Sequence, residues 1–238
     1  MKIIDVTLDD GSIAKGLIDP AAGSKVSPIV VDFLSPKLRH RVKSGVDSEA
    51  IVKAIGLKKS LRSGQFIYDF TAGLGTEAFL LAQAGYSVVA FERDPLIFEL
   101  LEDGLRRFRE SAPETHQDIQ LDFIFGDAVG VMAEGLSEGS FPRAYAVTLD
   151  PMFEGDSIEG KSLPKKEMAT LRRHLEPSTL DDVEQMFEAA FAAASDRVIV
   201  KRPNGADDLA GGRLGDRLVR PARRLEGKTA RFDIYSCR

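Results

Sequence analysis

The sequence holds a single cysteine and no tryptophan among its 238 residues. One thiol, Cys237, excludes an internal disulfide and a cage of cysteine metal ligands, and it is typical of a reducing compartment. No apolar run approaches the ~20 residues that span a bilayer, and the first residues lack the layout of a signal peptide. The three histidines are scattered among charged residues and indicate no metal or catalytic pair. We therefore expect a cytoplasmic protein without a bound metal.

Charge is distributed unevenly along the chain. The net charge is −5, yet residues 37–66 hold eight Lys and Arg against two Asp and Glu, and residues 197–238 hold eleven against five. Local basic segments can neutralise the phosphates of a nucleic acid even in an acidic protein. Lys and Arg are also mostly exposed in any soluble protein. Charge alone leaves two interpretations, a nucleic-acid surface or an ordinary solvated face.

The order of hydrophobic segments predicts an α/β fold. Short apolar strands alternate with amphipathic helical patterns, an order that gives parallel strands joined by right-handed crossovers. Pro95 opens one of these helices and Ser178 or Thr179 caps the last. The predicted strands cover 66–70, 87–91, 121–125, 144–149 and 197–200, and the last helix covers 179–194. The predicted architecture is a Rossmann-like doubly wound sheet.

The two ends of the chain depart from this alternation. Residues 217–219 and 229–237 are strand-like with no long helix between them, which predicts a hairpin and an antiparallel last strand. Three short strands separated by turns are predicted near the start, at 3–6, 13–18 and 29–33. We interpret residues 1–46 as a small N-terminal β extension. Residues 47–238 form the main domain, which opens with a short helix inside 47–61.

Open α/β sheets bind ligands beyond the carboxyl ends of their strands. The first strand of the main domain ends in Asp69 and a turn with Gly73 and Gly75, followed by Thr76 and Glu77. Glycines let the backbone turn tightly and approach a ligand, with a helix N-terminus behind them. Because glycines end many strands, this turn alone does not establish a binding site.

Glu92 strengthens the hypothesis of a cofactor site. It ends the second strand 19 residues after Gly73, the separation at which an acidic residue reaches the ribose hydroxyls of a nucleotide-like cofactor. Asp127, at the end of the third strand, either accepts a hydrogen bond from an adenine amino group or caps the following helix. The glycine turn and Glu92 together predict an adenosine-containing cofactor, without separating NAD from S-adenosylmethionine.

The fourth strand ends in Asp150-Pro151-Met152-Phe153, similar to the Asp/Asn-Pro-Pro-aromatic motif of enzymes that methylate amino groups. The exocyclic amine of a base is a poor nucleophile because its lone pair is delocalised into the ring. A carboxylate and a backbone carbonyl that accept its hydrogens direct that lone pair at a methyl donor. Proline has no competing N–H, and an aromatic side chain stacks on an extruded base. Asp150, Pro151 and Phe153 are the candidate catalytic residues; an ordinary Asp-Pro turn is the alternative.

Two pairs of basic residues are candidates for contacts with RNA. Lys165 and Lys166 are the last two residues of a polar segment, 154–166, which is either a mobile lid or a plain surface loop. Lys201 and Arg202 end the fifth strand on the same edge of the sheet, where two cations can hold a phosphate or a base.

Taken together, these motifs resemble those of one bacterial family. They run in order from about residue 30 to 236, and the chain is similar to the ribosomal RNA small subunit methyltransferase J family. The matching segments are Val31 to Phe33, Asp69 to Gly75, Phe91 to Pro95, Leu101 to Leu105, Asp150 to Phe153, Lys165 to Met168, Val200 to Pro203 and Arg231 to Tyr235. The resemblance implies a class I S-adenosylmethionine-dependent methyltransferase fold. It also implies cofactor contacts around Thr76, Glu77, Glu92, Arg93, Asp127, Ala128 and Asp150.

The implied activity is transfer of a methyl group from S-adenosylmethionine to the N2 amine of a guanine in 16S ribosomal RNA. The implied partner is that RNA, free or in the small-subunit particle. Two alternatives stay open: an amine methyltransferase acting on a protein or a small molecule, and a non-catalytic RNA-binding or assembly module. A NAD-dependent dehydrogenase competes at the level of fold. The sequence does not determine the oligomeric state, and a monomer is favoured.

Overall fold

Strands and helices alternate along the chain largely as the sequence predicts. The computed structural model describes residues 1–22, 27–111, 119–151, 178–208, 213–214, 217–227 and 230–237. The strands are β1 (Lys2–Thr7), β2 (Ile13–Ile18), β3 (Phe66–Asp69), β4 (Ser87–Glu92), β5 (Leu121–Phe125), β6 (Ala144–Leu149), β7 (Ala194–Pro203), β8 (Arg213–Leu214), β9 (Arg217–Leu218), β10 (Arg223–Glu226) and β11 (Ala230–Ser236). The helices are α1 (Pro36–Lys43), α2 (Ala50–Ile55), α3 (Thr76–Gln83), α4 (Pro95–Ser111), α5 (Ala128–Glu138) and α6 (Leu180–Ala193). Among the described residues, no helix has both the length and the apolar character that crossing a membrane requires.

Seven of the strands form one mixed sheet in the order β10-β11-β7-β6-β3-β4-β5. Strands β3 to β7 run parallel, whereas β11 is antiparallel to β7 and β10 to β11. The chain runs outward from β3 through β4 and β5, and then returns to β6 on the other side of β3. The predicted doubly wound sheet with an antiparallel last strand is confirmed. Its switch point, between β3 and β6, is where such sheets bind ligands.

Helices cover both faces of the sheet because its strands are apolar on both sides. On one face α2, α3 and α4 pack against Ile67 and Val88, and on the other α5 and α6 pack against Tyr68 and Val147. Each strand sends alternate residues into the two cores, as its period of two requires. The polar residues at the ends of β3 and β4, Asp69 and Glu92, are buried at the carboxyl edge of the sheet but belong to neither apolar core.

Helix α6 begins with a capping box. The Thr179 hydroxyl accepts a hydrogen bond from the Asp182 backbone N–H at 3.1 Å, and the Asp182 carboxylate accepts one from the Thr179 N–H at 2.9 Å. Of the two caps that the sequence allows, the structure therefore selects Thr179 over Ser178. Each residue satisfies an N–H group that the first turn of a helix leaves without a partner.

The N-terminal β extension is confirmed as a hairpin of β1 and β2. The third strand predicted there, at 29–33, does not form; Ile29 makes one isolated bridge to Leu17. Two residues further on, the Arg107 guanidinium donates to the Val31 carbonyl oxygen. Val31 is buried in the same core as α3 and α4. The boundary between an extension at 1–46 and a main domain at 47–238 stays a prediction.

The end of the chain pairs differently from the prediction. The sequence predicts a hairpin of 217–219 with 229–237, but β9 pairs with β8, and β11 pairs with β10. The observed pairing brings an additional cation to a buried carboxylate. Asp233 on β11 is fully buried, and its Oδ1 lies 3.3 Å from Nε of Arg224, the residue directly opposite on β10. A buried carboxylate needs such a partner.

Candidate active site

A pocket of about 250 Å³ opens beside the switch point, at the carboxyl ends of β3, β4 and β6. All the predicted cofactor residues except Gly75 line it, namely Asp69, Gly73, Thr76, Glu77, Glu92, Arg93, Asp127, Ala128 and Asp150. Pro151, Lys201 and several apolar side chains, among them Phe70, Phe91 and Ile97, complete the walls. Apolar walls with a few polar groups are typical of sites for small molecules and cofactors.

The two glycines of the turn have different roles. Gly73 and Gly75 have φ angles of +54° and +72°, which favour glycine. Gly73 lines the pocket, and a Cβ there would meet no atom nearer than 3.9 Å. A Cβ on Gly75 would lie 2.8 Å from Leu101 and 3.1 Å from Phe33. Gly75 is therefore required for packing of the turn on the core, and its contact with a cofactor stays a prediction.

Glu92 is buried beneath the glycine turn. Its carboxylate accepts hydrogen bonds from the backbone N–H groups of Gly73 and Asp94, each at 2.9 Å. Burial raises the pKa of Glu92, and these two hydrogen bonds act in the opposite direction by stabilising the charged form. Because a carboxylate has about four acceptor sites, the group that holds the turn also retains capacity for ribose hydroxyls.

Asp69 is a buried carboxyl at the floor of the pocket. Its Oδ1 accepts a hydrogen bond from the Thr71 backbone N–H at 3.1 Å. Burial raises the pKa of Asp69 to about 7, and the carboxylates of Glu77 and Asp150 add to the rise, whereas the charge of Lys201 lowers it. A cationic ligand in the pocket would favour the ionised form of this group.

The Thr71 side chain connects Asp69 to Asp150 across the switch point. Its hydroxyl oxygen accepts a hydrogen bond from the Asp150 backbone N–H at 2.7 Å and lies 3.5 Å from Asp69 Oδ1, to which it donates. This side chain therefore sets the position of the Asp150 backbone relative to the end of β3.

Lys201 is the cation of this cluster. Its Nζ donates to Asp150 Oδ2 at 2.7 Å and to Glu77 Oε1 at 2.9 Å. Burial acts to lower the pKa of Lys201, but the carboxylates of Asp150 and Glu77 raise it above its ordinary value. One ammonium between two carboxylates, with two more carboxyl groups nearby, gives the pocket an excess of acidic groups.

Asp127 caps helix α5. Its Oδ1 accepts a hydrogen bond from the Val129 backbone N–H at 2.8 Å, and its Oδ2 lies 4.0 Å from Nη1 of Arg93. The capping interpretation is thus confirmed. The contact with adenine stays a prediction, and it is compatible with the cap because Asp127 also lines the pocket.

Lys201 and Arg202 do not act as a pair. Successive side chains of a strand point to opposite faces, so Lys201 enters the pocket while Arg202, only 7% exposed, donates to the Asp207 carbonyl oxygen at 3.3 Å. The expected joint grip on a phosphate or base is not formed by these neighbours, and their contacts with RNA stay predictions. Three further candidates lie outside the described residues: Phe153, Lys165 and Lys166.

Two features of the pocket escaped the sequence analysis. The role of Thr71 had a local signal, because an Asp side chain that accepts the N–H two residues ahead is a common turn. The ion pair of Lys201 with Glu77 joins residues 124 positions apart and left no local signal. Within the described ranges, no group of three or more His, Cys, Asp or Glu residues is arranged to hold a metal ion.

Comparisons with known proteins match almost the whole chain. A family model described as "Putative SAM-dependent methyltransferase" matches residues 17–237. A protein of Alteromonas mediterranea named ribosomal RNA small subunit methyltransferase J is 39% identical over 93% of this chain and 79% of its own length. A protein of the same name from Dechloromonas aromatica is 41% identical over 87% of this chain and 78% of its own. The crystal structure of a SAM-dependent methyltransferase from Neisseria gonorrhoeae has a TM-score of 0.67 and 29% identity, covering 94% of this chain and 78% of that one.

The family match spans the whole doubly wound sheet, and the chain is therefore an S-adenosylmethionine-dependent methyltransferase. More narrowly, it belongs to the ribosomal RNA small subunit methyltransferase J family. The pocket fits the cofactor, because buried Asp69 and the excess of carboxylates suit a ligand that carries a sulfonium and an ammonium group. When bound, S-adenosylmethionine supplies a methyl group on a positively charged sulfur.

Proposed function

We propose that the chain methylates the exocyclic N2 amine of a guanine in small-subunit (16S) ribosomal RNA. The names of its relatives support the class of substrate. The reaction type is supported above all by the position of Asp150 and Pro151, which directly follow β6 and line the pocket. A carboxylate and a proline carbonyl at that point are the acceptors that an aromatic amine needs in order to present its lone pair.

Asp150 is the residue that we expect to accept a hydrogen of the amine. Its side chain is 50% exposed, so a base can reach it from solvent. Lys201 binds one carboxylate oxygen at 2.7 Å, and the Thr71 hydroxyl binds the backbone N–H at 2.7 Å. These two contacts restrict the carboxylate before the substrate arrives, which lowers the entropy cost of reaching the reactive geometry.

Pro151 completes the grip on the amine. It is buried and lines the pocket, and without an N–H it presents only a carbonyl acceptor. We expect that carbonyl oxygen to accept the second hydrogen of the amine. Stacking of the base on Phe153 remains part of this proposal as a prediction from the sequence motif.

The cofactor contacts follow the order of the strands. The carboxylates of Asp69 and Glu77, near the end of β3, suit the cationic methionine end of S-adenosylmethionine. Glu92 at the end of β4 suits the ribose hydroxyls, and Asp127 with Ala128 after β5 suits the adenine. This assignment follows the order β5, β4, β3 across the sheet, and Asp150 directly follows β6, the next strand in that order.

The decisive experiment uses ribosomal RNA from cells that lack the gene, both as naked RNA and as small subunits. We expect the wild-type protein to add a methyl group to N2 of one guanine, located by mass spectrometry. Asp150→Ala should lower kcat by on the order of 10²–10³, the usual loss for one group aligned with the reacting atoms. Its affinity for S-adenosylmethionine should change little.

Asp122→Ala is the matched control, because Asp122 is 72% exposed on edge strand β5. It should turn over like the wild type. Normal turnover by Asp150→Ala would refute the role of Asp150. If the wild-type protein transfers labelled methyl groups to proteins or small molecules of a lysate, but methylates neither naked RNA nor small subunits, RNA is not the substrate.

A further inference from the structure

Helix α1 carries a dense positive charge. No Asp or Glu lies between Phe33 and Val46, and the helix holds Lys37, Arg39, His40, Arg41 and Lys43. Leu38 is its buried residue, packed in the core with α3 and α4. By sequence alone, the charge of this segment is compatible with a nucleic-acid surface and with an ordinary solvated face, and no residue of the helix lines the pocket.

The cations of α1 divide between its inner and outer sides. On the inner side Arg41 pairs with Glu49, with Nη2 and Oε2 2.6 Å apart. On the outer side Arg39 and Lys43 are exposed and lie one turn apart. Among the described residues, neither has a carboxylate oxygen within 4.0 Å. Like charges four residues apart in a helix repel each other, so this pair weakens the helix unless an external anion is bound.

Both ends of α1 are anchored beside the pocket. Phe33, just before the helix, lies against Gly75 in the glycine turn. At the other end Arg41 pairs with Glu49, the residue that precedes α2, and Ile51 of α2 lines the pocket. The two ends of the helix are therefore tied to segments that border the pocket, the glycine turn and α2, and its outer side faces solvent.

The pocket and α1 have opposite charge, and this contrast suits an RNA substrate. Carboxylates inside the pocket repel phosphates, while the uncharged target base must still enter. We propose that the outer face of α1, through Arg39 and Lys43, is the surface on which phosphates of the substrate RNA dock while the base enters the pocket. This inference rests on the proposed function, since it takes RNA as the substrate.

The size of the effect follows from counterion release. Each phosphate contact contributes about 0.7 (single strand) to 0.9 (duplex) to the slope of log K against log salt concentration. Losing two contacts should therefore flatten the slope by about 1.4 to 1.8 and weaken binding about 25- to 60-fold at 0.1 M salt. The variant to use is Arg39→Gln/Lys43→Gln, and its stability should not fall because it removes a repulsion.

Lys58→Gln/Lys59→Gln is the matched control. It removes the same charge from the same basic segment, but these lysines precede β3 and so lie at the amino end of the sheet, opposite the pocket. Wild type and both variants are compared for binding of a small-subunit rRNA fragment between 0.05 and 0.3 M salt. KM and kcat with RNA, affinity for S-adenosylmethionine and thermal unfolding are measured alongside.

The inference is supported if the α1 variant alone shows the weaker, flatter binding and a raised KM with unchanged affinity for S-adenosylmethionine. It is overturned if both variants match the wild type or lose the same amount. Loss of binding to assembled subunits but not to naked RNA also overturns it, because the partner of α1 is then a protein. Failure of the wild type to bind or methylate either RNA form overturns the proposed function as well, which distinguishes that failure from failure of the docking surface alone.

Discussion

Two buried aspartates of the same sheet, Asp69 and Asp233, are stabilised in opposite ways. Asp233 on β11 is gripped by Arg231 through two hydrogen bonds, of 2.9 and 3.0 Å, and lies 3.3 Å from Arg224. Asp69 at the end of β3 accepts its hydrogen bonds from Thr71, and burial raises its pKa to about 7. Asp233 is therefore paired with cations of the chain, whereas Asp69 has a pKa of about 7 and is only partly ionised at neutral pH.

The difference separates a structural charge from a functional one. A bidentate pair with Arg231, a residue of the same strand, satisfies Asp233 with geometry that carboxylates and guanidinium groups share. Arg224, 3.3 Å away on β10, is the charged contact between β11 and β10. Asp69 lines the pocket in which we propose that the cationic cofactor binds, and in this proposal its charge partner arrives with the ligand. A perturbed carboxyl group in a cleft indicates such a site.

Asp233→Ala should give the largest effect on folding. It leaves Arg231 buried without its partner, and breaking a buried pair in this way costs about 3–5 kcal/mol. Urea unfolding measures this loss, while the affinity of the folded fraction for S-adenosylmethionine should be unchanged. Replacing both residues, as Arg231→Met/Asp233→Leu, should cost less than the single change. A single variant as stable as the wild type would show that Asp233 is not a structural charge.

Asp69→Asn should stabilise the protein at high pH. The folded chain holds the Asp69 proton up to about pH 7, whereas the unfolded chain loses it near the ordinary value of 3.8. Wild-type stability therefore falls as the pH rises between these values, by at most about 4 kcal/mol, and stays low above them. The asparagine variant lacks this loss, so it should match the wild type near pH 3.5 and exceed it at pH 8. Parallel stability curves for the two proteins would disprove the assignment.

The same variant tests the link between Asp69 and the cofactor. Binding of a cationic ligand favours ionised Asp69, so wild-type binding of S-adenosylmethionine at pH 6.5 should release protons. Calorimetry in buffers of different ionisation enthalpy detects this release. Asp69→Asn should bind more weakly with less proton release, and equal release from both proteins would place the titrating group elsewhere.

Thr71→Val should give the smallest effect. It removes the acceptor of the Asp150 N–H, a loss of about 1 kcal/mol, and should lower kcat about fivefold with KM for S-adenosylmethionine nearly unchanged. Thr71→Ser keeps the hydroxyl and should restore the rate. If serine and valine are equally impaired, packing of the methyl group matters more than the hydrogen bond.

Local patterns in the sequence were enough for the main features of the fold. Alternating apolar strands and amphipathic helices predicted the doubly wound sheet. The spacing of Gly73 and Glu92 predicted that both belong to one site, and in the structure the Gly73 N–H donates to the Glu92 carboxylate at 2.9 Å. The predicted strand at 29–33 is reduced to one bridge at Ile29, and the carbonyl of Val31 accepts from the side chain of the distant Arg107. The predicted partner of the last strand was wrong: β11 pairs with β10, which places Arg224 opposite the buried Asp233.

At the strand ends, too, some features follow from local sequence and others from the tertiary structure. The sequence alone determines which groups stand at the strand ends. The glycine turn, Glu92, and Asp150 with Pro151 are recognisable from short segments, because backbone conformation and strand ends depend on neighbouring residues. The charge states and partners were decided by the tertiary structure. Lys201 contacts Glu77 and Asp150 across 124 and 51 positions, and Asp69 holds its proton to about pH 7 only because the folded chain removes it from water. Desolvation and Coulomb interactions depend on distances in space, and folding alone creates those distances.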